Sequence, residues 1–144
     1  MTTLEQYNWS NRLILIVDDD RASSMLLELI ISKTGAKMIF VSNGRSAVDT
    51  FLSTHGIDLI LMDIKMEGLN GLDATRLIRE RDPHVPIIAQ TACVIAGDKE
   101  KCLQAGCNDY IPKPININKL METMNKYLSH TNPIVKVNDL FSEN

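Results

Sequence analysis

Short apolar runs that alternate with amphipathic stretches constrain the fold of this chain more than any other feature. The first run, residues 13–17, is apolar at every position, which is typical of a strand covered on both faces. Apolar residues then recur at helical spacing until Gly35. The chain repeats this strand and helix pattern to its last amphipathic stretch. Because right-handed crossovers leave few other arrangements, the repeat predicts a parallel sheet with helices on both faces.

The later elements follow from the same periodicity. Further strands are predicted at residues 37–41, 57–62, 85–90 and 109–111. The third helix should end before Pro83, and the fourth should cover residues 98–104 and end at Gly106. The fifth helix should present one apolar face, made of Ile117, Leu120, Met121, Met124 and Leu128.

The length of 144 residues and the hydrophobic fraction of 44% predict one globular domain with a full core. We place this domain at residues 12–129, between an N-terminal extension (1–11) and a C-terminal tail (130–144). The extension contains Trp9, for which two readings stay open at this point. It either packs on the domain or remains loose.

Charge and composition argue against several classes of function. The net charge of -3 and the absence of a Lys/Arg-rich run predict no direct binding to nucleic acid. No apolar stretch is long enough to cross a bilayer and the amino terminus lacks a signal-peptide pattern, so we expect a cytoplasmic protein without direct membrane contact. Cys93, Cys102 and Cys107 are odd in number and lack zinc-site spacing, which favours reduced thiols.

Acidic residues follow two of the predicted strands. Asp18 and Asp19 come directly after the first strand, and Asp63 follows the third. If these strands are neighbours, their carboxyl ends bring three carboxylates to one edge of the sheet. Such carboxylates repel one another and raise each other's pKa unless a hard cation such as Mg²⁺ offsets their charge. The sequence therefore predicts a magnesium site at this edge.

The fourth and fifth strands end in Thr91 and Lys113, which complete a set suited to phosphoryl transfer. Asp63 is the best acceptor because it ends a central strand and a carboxylate can form an acyl phosphate. Lys113 can neutralise a phosphoryl oxygen, and Thr91 can donate a hydrogen bond to another. Each residue alone has an ordinary explanation, a helix cap for Thr91 or a solvated surface lysine for Lys113, so the prediction depends on the combination.

These residues resemble the response-regulator receiver domain of two-component phosphorelays, over a span from about Arg12 to Leu128. The resemblance implies a flavodoxin-like (βα)5 doubly wound sheet with strand order 2-1-3-4-5. It also implies a signalling domain that is not an enzyme beyond its own phosphorylation and dephosphorylation. The motifs that carry the likeness are ILIVDDD at residues 14–20, DLILMDIKM at 58–66, AQTA at 89–92 and YIPKP at 110–114.

The resemblance assigns roles to individual residues. Asp63 would be the phosphoacceptor, and Thr91 and Lys113 would contact the phosphoryl group. The peptide bond between Lys113 and Pro114 would be cis. The Mg²⁺ ligands would be the carboxylates of Asp18, Asp19 and Asp63 and the main-chain carbonyl of Lys65.

The family's switch mechanism is implied as well. Tyr110 matches the aromatic switch position, whose ring rotates as Thr91 moves, and this would reshape the surface of the fourth helix, fifth strand and fifth helix. The alternative for Tyr110 is a half-buried aromatic with its hydroxyl in water. Lys65 and Cys93 hold positions that tune phosphoryl lifetime in relatives, and we expect slowed hydrolysis because Lys65 can shield the site.

The chain departs from the family in the loop after the acceptor. Glu67 stands where proline is common, and Asn70-Gly71 stands where Asp-Gly is frequent. The loop could therefore be less rigid or differently shaped.

The implied partners are a histidine kinase or a histidine phosphotransfer domain, with a downstream protein or a second copy of the chain as readout. Two alternatives remain open: a Mg²⁺-dependent phosphohydrolase with an aspartyl intermediate, and a degenerate receiver that only binds proteins. The first usually has a second acid where this chain has Lys65. The intact Asp19, Asp63, Thr91 and Lys113 argue against the second. The motifs look slightly more like receivers of hybrid kinases than like free-standing regulators.

Overall fold

The computed structural model describes residues 7–92 and 97–130, and its strands form one parallel sheet in the order β2-β1-β3-β4-β5. This confirms the predicted fold class and strand order. The strands are β1 (Leu13–Val17), β2 (Lys37–Val41), β3 (Leu59–Asp63), β4 (Ile87–Thr91) and β5 (Asp109–Pro112). The helices are α1 (Arg21–Ser32), α2 (Gly44–Ser53), α3 (Gly71–Arg81), α4 (Asp98–Ala105) and α5 (Ile117–His130).

Two strands begin later than the apolar pattern predicted, for local reasons. β4 starts after Pro86, which has no backbone N–H for the sheet, although its carbonyl still accepts from Ile60 N at 2.9 Å. β3 starts after Asp58, whose carboxylate accepts from Leu13 N at 2.8 Å. Both strands also extend one residue further than predicted, so that Asp63 and Thr91 are themselves the last strand residues.

Side chains of the sheet alternate between two apolar clusters, one on each face. The front cluster lies under α1 and α5, and the rear cluster lies under α2, α3 and α4. The buried residues of the front cluster are Trp9, Ile14, Ile16, Leu27, Ile30, Ile31, Ala36, Leu59, Leu61, Ile88, Ile111, Leu120, Met121, Met124 and Leu128. Those of the rear cluster are Leu15, Val17, Ala47, Val48, Ile60, Met62, Ala74, Ile78, Val85, Ile87, Ala89, Cys102 and Cys107.

Trp9 packs on the domain, which decides between the two readings of its position. Its side chain is only 4% exposed, its backbone N–H donates to Thr34 O at 2.8 Å, and its indole Nε1 donates to Asn125 Oδ1 at 3.3 Å. Arg12 continues this attachment by donating to the carbonyl of Leu128 at 2.8 Å. The segment before β1 is thus tied to the turn after α1 and to α5. The predicted domain boundaries remain predictions.

Two further expectations concern the cysteines and the membrane. Cys102 and Cys107 are buried free thiols, and Cys93 lies outside the described residues. Within residues 7–92 and 97–130, no helix has both the length and the apolar character needed to span a bilayer.

Candidate functional site

Three carboxylates meet at the carboxyl ends of β1 and β3. Asp63 is the last residue of β3, and Asp18 and Asp19 directly follow β1. The parallel register of these strands runs to the pair Val17 and Met62, which brings the next residue of each strand side by side. One carboxylate oxygen from each acid lies within 4.8 Å of the other two. Asp18 and Asp63 are buried and Asp19 is exposed, so the cluster opens toward solvent on one side.

Asp20, the third acid of the same run, has a different role. It is the N-cap of α1, and its Oδ2 accepts from the backbone N–H of Ser23 at 3.1 Å and from the Ser23 hydroxyl at 2.7 Å. These hydrogen bonds lower the pKa of Asp20. Its own backbone N–H donates to Asp18 Oδ1 at 2.9 Å, so the start of α1 orients the neighbouring carboxylate of the cluster.

Lys113 supplies the positive charge of the site. Its Nζ lies 3.3 Å from Asp18 Oδ2 and 3.7 Å from Asp63 Oδ2, and its side chain is 18% exposed. Its backbone N–H donates to the carbonyl of Thr91 at 2.8 Å, which ties the end of β5 to the end of β4. The bond between Lys113 and Pro114 is cis, as the resemblance implied.

The pKa of Asp63 is shifted by its burial and by the charged groups around it. Burial raises its pKa from 3.8 to about 6; the ammonium of Lys113 opposes the rise, and the carboxylates of Asp18 and Asp19 add to it. A hydrogen bond from the Lys65 backbone also opposes it. The cluster carries three acids against one ammonium, and its hard oxygen donors are those that Mg²⁺ prefers. The residues present therefore fit a magnesium ion.

The loop after Asp63 packs tightly against the end of β3. Gly71 has no room for a side chain, because a Cβ there would clash with the carbonyl oxygen of Asp63. Its backbone N–H donates to Ile64 O at 3.0 Å. Asn70 caps α3 by accepting from Asp73 N at 2.9 Å, a role for which Asn and Asp are equally suited. The Asn70-Gly71 departure from the family pattern therefore keeps both functions of that dipeptide.

Lys65 is exposed at the start of this loop and lines a groove beside the acid cluster, next to Asp19 and Met66. This places Lys65 near enough to the acids to contribute to the site. Its part as a main-chain metal ligand stays a prediction.

Thr91 and Tyr110 lie on the neighbouring strands β4 and β5. Asp63 pairs with Gln90 in the register of β3 and β4, so Thr91 lies one residue beyond the position opposite Asp63, and it is 3% exposed. Tyr110 pairs with Ala89 and is half-buried against the rear cluster, with Lys99 Nζ 5.9 Å from the ring centroid. This position is compatible with both readings of Tyr110. Residues 93–96, which follow this end of β4, lie outside the described part of the chain.

Sequence reasoning did not single out Gln90, which is fully buried beside the site. Among the described residues, neither of its side-chain polar atoms has a hydrogen-bond partner. The signal in the sequence was a polar amide near the end of an otherwise apolar run.

A family model for the response regulator receiver domain matches residues 14–125. This chain belongs to the response regulator receiver domain family. It is 38% identical over 117 residues to the polar-differentiation response regulator DivK of Brucella anthropi, an alignment that covers 80% of this chain and 94% of that regulator.

Solved structures agree with this membership. The receiver domain of the sensor histidine kinase PA1611 from Pseudomonas aeruginosa, which has a magnesium ion coordinated in its active-site cleft, is 36% identical with a TM-score of 0.76 and covers 82% of this chain and 98% of its own. The receiver domain of Ssk1 from Saccharomyces cerevisiae was solved with the histidine phosphotransfer protein Ypd1. It is 30% identical to this chain with a TM-score of 0.76, and the match covers 81% of this chain and 88% of the Ssk1 chain.

Proposed function

We propose that this receiver domain accepts a phosphoryl group on Asp63 from a phosphohistidine of a kinase or phosphotransfer domain, in a Mg²⁺-dependent reaction. The observation that carries the proposal is the convergence of Asp18, Asp19 and Asp63 within 4.8 Å, with the ammonium of Lys113 against two of them. An acid cluster alone occurs on many surfaces. This one is largely buried at the carboxyl edge of a parallel sheet, where ligands of such folds bind.

The reaction that this geometry supports is an in-line displacement at phosphorus. A carboxylate oxygen of Asp63 attacks the phosphorus atom and forms the P–O bond of an acyl phosphate. The P–N bond to the donor histidine breaks, and its electron pair returns to the imidazole, which then takes up a proton. Asp63 must be ionised to attack, and its pKa of about 6 leaves it charged at neutral pH.

The other residues act on the charge of the transferred group. A magnesium ion held by Asp18, Asp19, Asp63 and the Lys65 main-chain carbonyl would offset the negative charge at the acceptor when bound. Lys113 neutralises a phosphoryl oxygen. Thr91, at the end of the adjacent strand, donates a hydrogen bond to another.

The partner that supplies the phosphoryl group must contact the surface around Asp63. A groove lined by Asp18, Asp19, Arg21 and Ser24 joins the acid cluster to the first turn of α1. Further along this helix three apolar side chains are exposed, Met25 at 59%, Leu26 at 40% and Leu29 at 61%. Apolar surface next to a polar reaction site suits a protein donor. The Ssk1 receiver, whose structure resembles this chain, was solved with such a phosphotransfer protein.

Phosphorylation would be read on the surface of α4, β5 and α5, by a downstream protein or by a second copy of the chain. Tyr110 lies on β5 beside Ala89 and two residues along that register from Thr91, so a displaced threonine can change the space available to the ring. A cytoplasmic location, without direct contact to nucleic acid or membrane, completes the proposal.

The test is incubation with a small-molecule phosphodonor, with and without Mg²⁺, followed by intact mass spectrometry. The wild-type chain should gain one phosphoryl group only when Mg²⁺ is present. Asp63→Asn should gain none, and Asp58→Asn is a matched control because Asp58 contacts Arg12 and Leu13 rather than the acid cluster. Modification of Asp63→Asn to the wild-type extent would refute the assignment of the acceptor.

A further inference from the structure

Gln90 is a polar residue in a position that packing alone does not explain. It is 0% exposed, and among the described residues neither its Oε1 nor its Nε2 has a hydrogen-bond partner. Buried polar groups are nearly always paired, and an unpaired one destabilises the state that contains it. An apolar side chain of similar size would avoid this cost on an interior strand.

The strand register places Gln90 directly beside the acceptor. Gln90 pairs with Asp63 on β3 and with Ile111 on β5. Ile111 and Ile88 both belong to the front cluster, so alternation along β4 directs the Gln90 side chain to that face. Asp63 follows Leu61 of the same cluster by two residues and shares this face.

The Lys113 side chain reaches from the end of β5 to the acid cluster. It follows Ile111 of the front cluster by two residues, and its ammonium reaches Asp63 on β3 and Asp18 after β1. β4 lies between β5 and β3 in the sheet, so the lysine side chain crosses the carboxyl end of β4, where Gln90 is the residue before the last of the strand. An ammonium group has three donors, and an amide oxygen is a suitable acceptor for one of them.

We propose that Gln90 is a positioning residue for Lys113 in the phosphorylated domain, an inference that rests on the proposed function. In the unmodified chain the ammonium is held by two carboxylates, and the Gln90 amide has no hydrogen-bond partner among the residues that the structure describes. When the ammonium leaves Asp18 to contact the phosphoryl group on Asp63, the Gln90 side-chain oxygen accepts a hydrogen bond from it. The amide then favours the phosphorylated state over the unmodified one.

The test compares Gln90→Met with Ile88→Met, a control on the same strand and the same face. Binding of beryllofluoride, a phosphoryl mimic, is measured by calorimetry in the presence of Mg²⁺, and urea unfolding is measured without metal. Gln90→Met should bind beryllofluoride about tenfold more weakly, the effect of losing one hydrogen bond to a charged group. Without metal it should be at least as stable as wild type. Ile88→Met should bind with about the wild-type affinity.

Unchanged beryllofluoride affinity in Gln90→Met would overturn the inference. So would weaker binding together with lower metal-free stability, because the amide would then already be paired in the unmodified chain. If the wild-type chain itself binds no beryllofluoride with Mg²⁺, the proposed function fails, which separates that failure from one of Gln90 alone.

Discussion

Replacing Asp63 with asparagine should stabilise the metal-free protein at neutral pH. The folded chain holds the Asp63 carboxyl at a pKa of about 6, against 3.8 when it is free in water, chiefly because burial disfavours its charge. Each tenfold change in an acid dissociation constant is worth about 1.4 kcal/mol, so the charged carboxylate costs the fold at most about 3 kcal/mol. Asparagine has nearly the same shape and no charge, and it should recover about 1 to 3 kcal/mol of this cost.

The sign of the pH dependence follows from the same difference. The folded chain binds a proton at Asp63 more tightly than the unfolded chain does, so this group destabilises the fold as pH rises from about 4 to 6. The gain from Asp63→Asn should therefore be largest above pH 7 and should nearly vanish near pH 4. Asp20 and Asp109, whose pKa values are lowered, titrate in both proteins and cancel in the comparison.

The assay is urea unfolding of both proteins in EDTA at several pH values, repeated with Mg²⁺. Added Mg²⁺ should stabilise the wild type more than the variant, because a ligand stabilises the form that binds it. The stability difference should therefore shrink or reverse. A variant that is less stable than wild type at pH 7.5 in EDTA would refute the claim that, without a cation, the buried charge of Asp63 destabilises the fold.

Three further substitutions test separate parts of the structure. Gly71→Ala should lower stability by about 2 kcal/mol or more in urea unfolding, since its Cβ would meet the Asp63 carbonyl; wild-type stability would contradict this packing. Trp9→Phe should cost about 1 to 2 kcal/mol, through lost volume and the lost bond to Asn125, when unfolding is followed by circular dichroism. Phosphorylated Lys65→Ala should lose its phosphoryl group a few-fold faster than wild type, and an unchanged lifetime would rule out shielding by this side chain.

The fold was predictable because local and global patterns agree in this sequence. The apolar run of β1 and the helical spacing that follows it indicate the same parallel architecture that the register of the strands shows. The errors lay at strand boundaries. β3 and β4 start later than predicted because Pro86 has no backbone N–H and because the Asp58 carboxylate accepts from Leu13 N, and both strands end one residue later than predicted.

The candidate site was predictable where it depends on strand ends. Parallel strands place their last residues together, so Asp18 and Asp63 had to meet once β1 and β3 were neighbours. The burial of Trp9 was not predictable, since it depends on Asn125, 116 residues away in the sequence. That the Gln90 amide has no hydrogen-bond partner within residues 7–92 and 97–130 was not predictable either, because hydrogen bonding depends on which groups the fold brings close to the amide.

A crystal structure with Mg²⁺ and beryllofluoride would test the central claim most directly. We expect beryllium bonded to a carboxylate oxygen of Asp63, and a magnesium ion about 2.1 Å from carboxylate oxygens of the cluster formed with Asp18 and Asp19. Lys113 and Thr91 should contact the fluorine atoms. A folded chain whose acid cluster holds neither magnesium nor beryllofluoride at saturating concentrations would contradict the account.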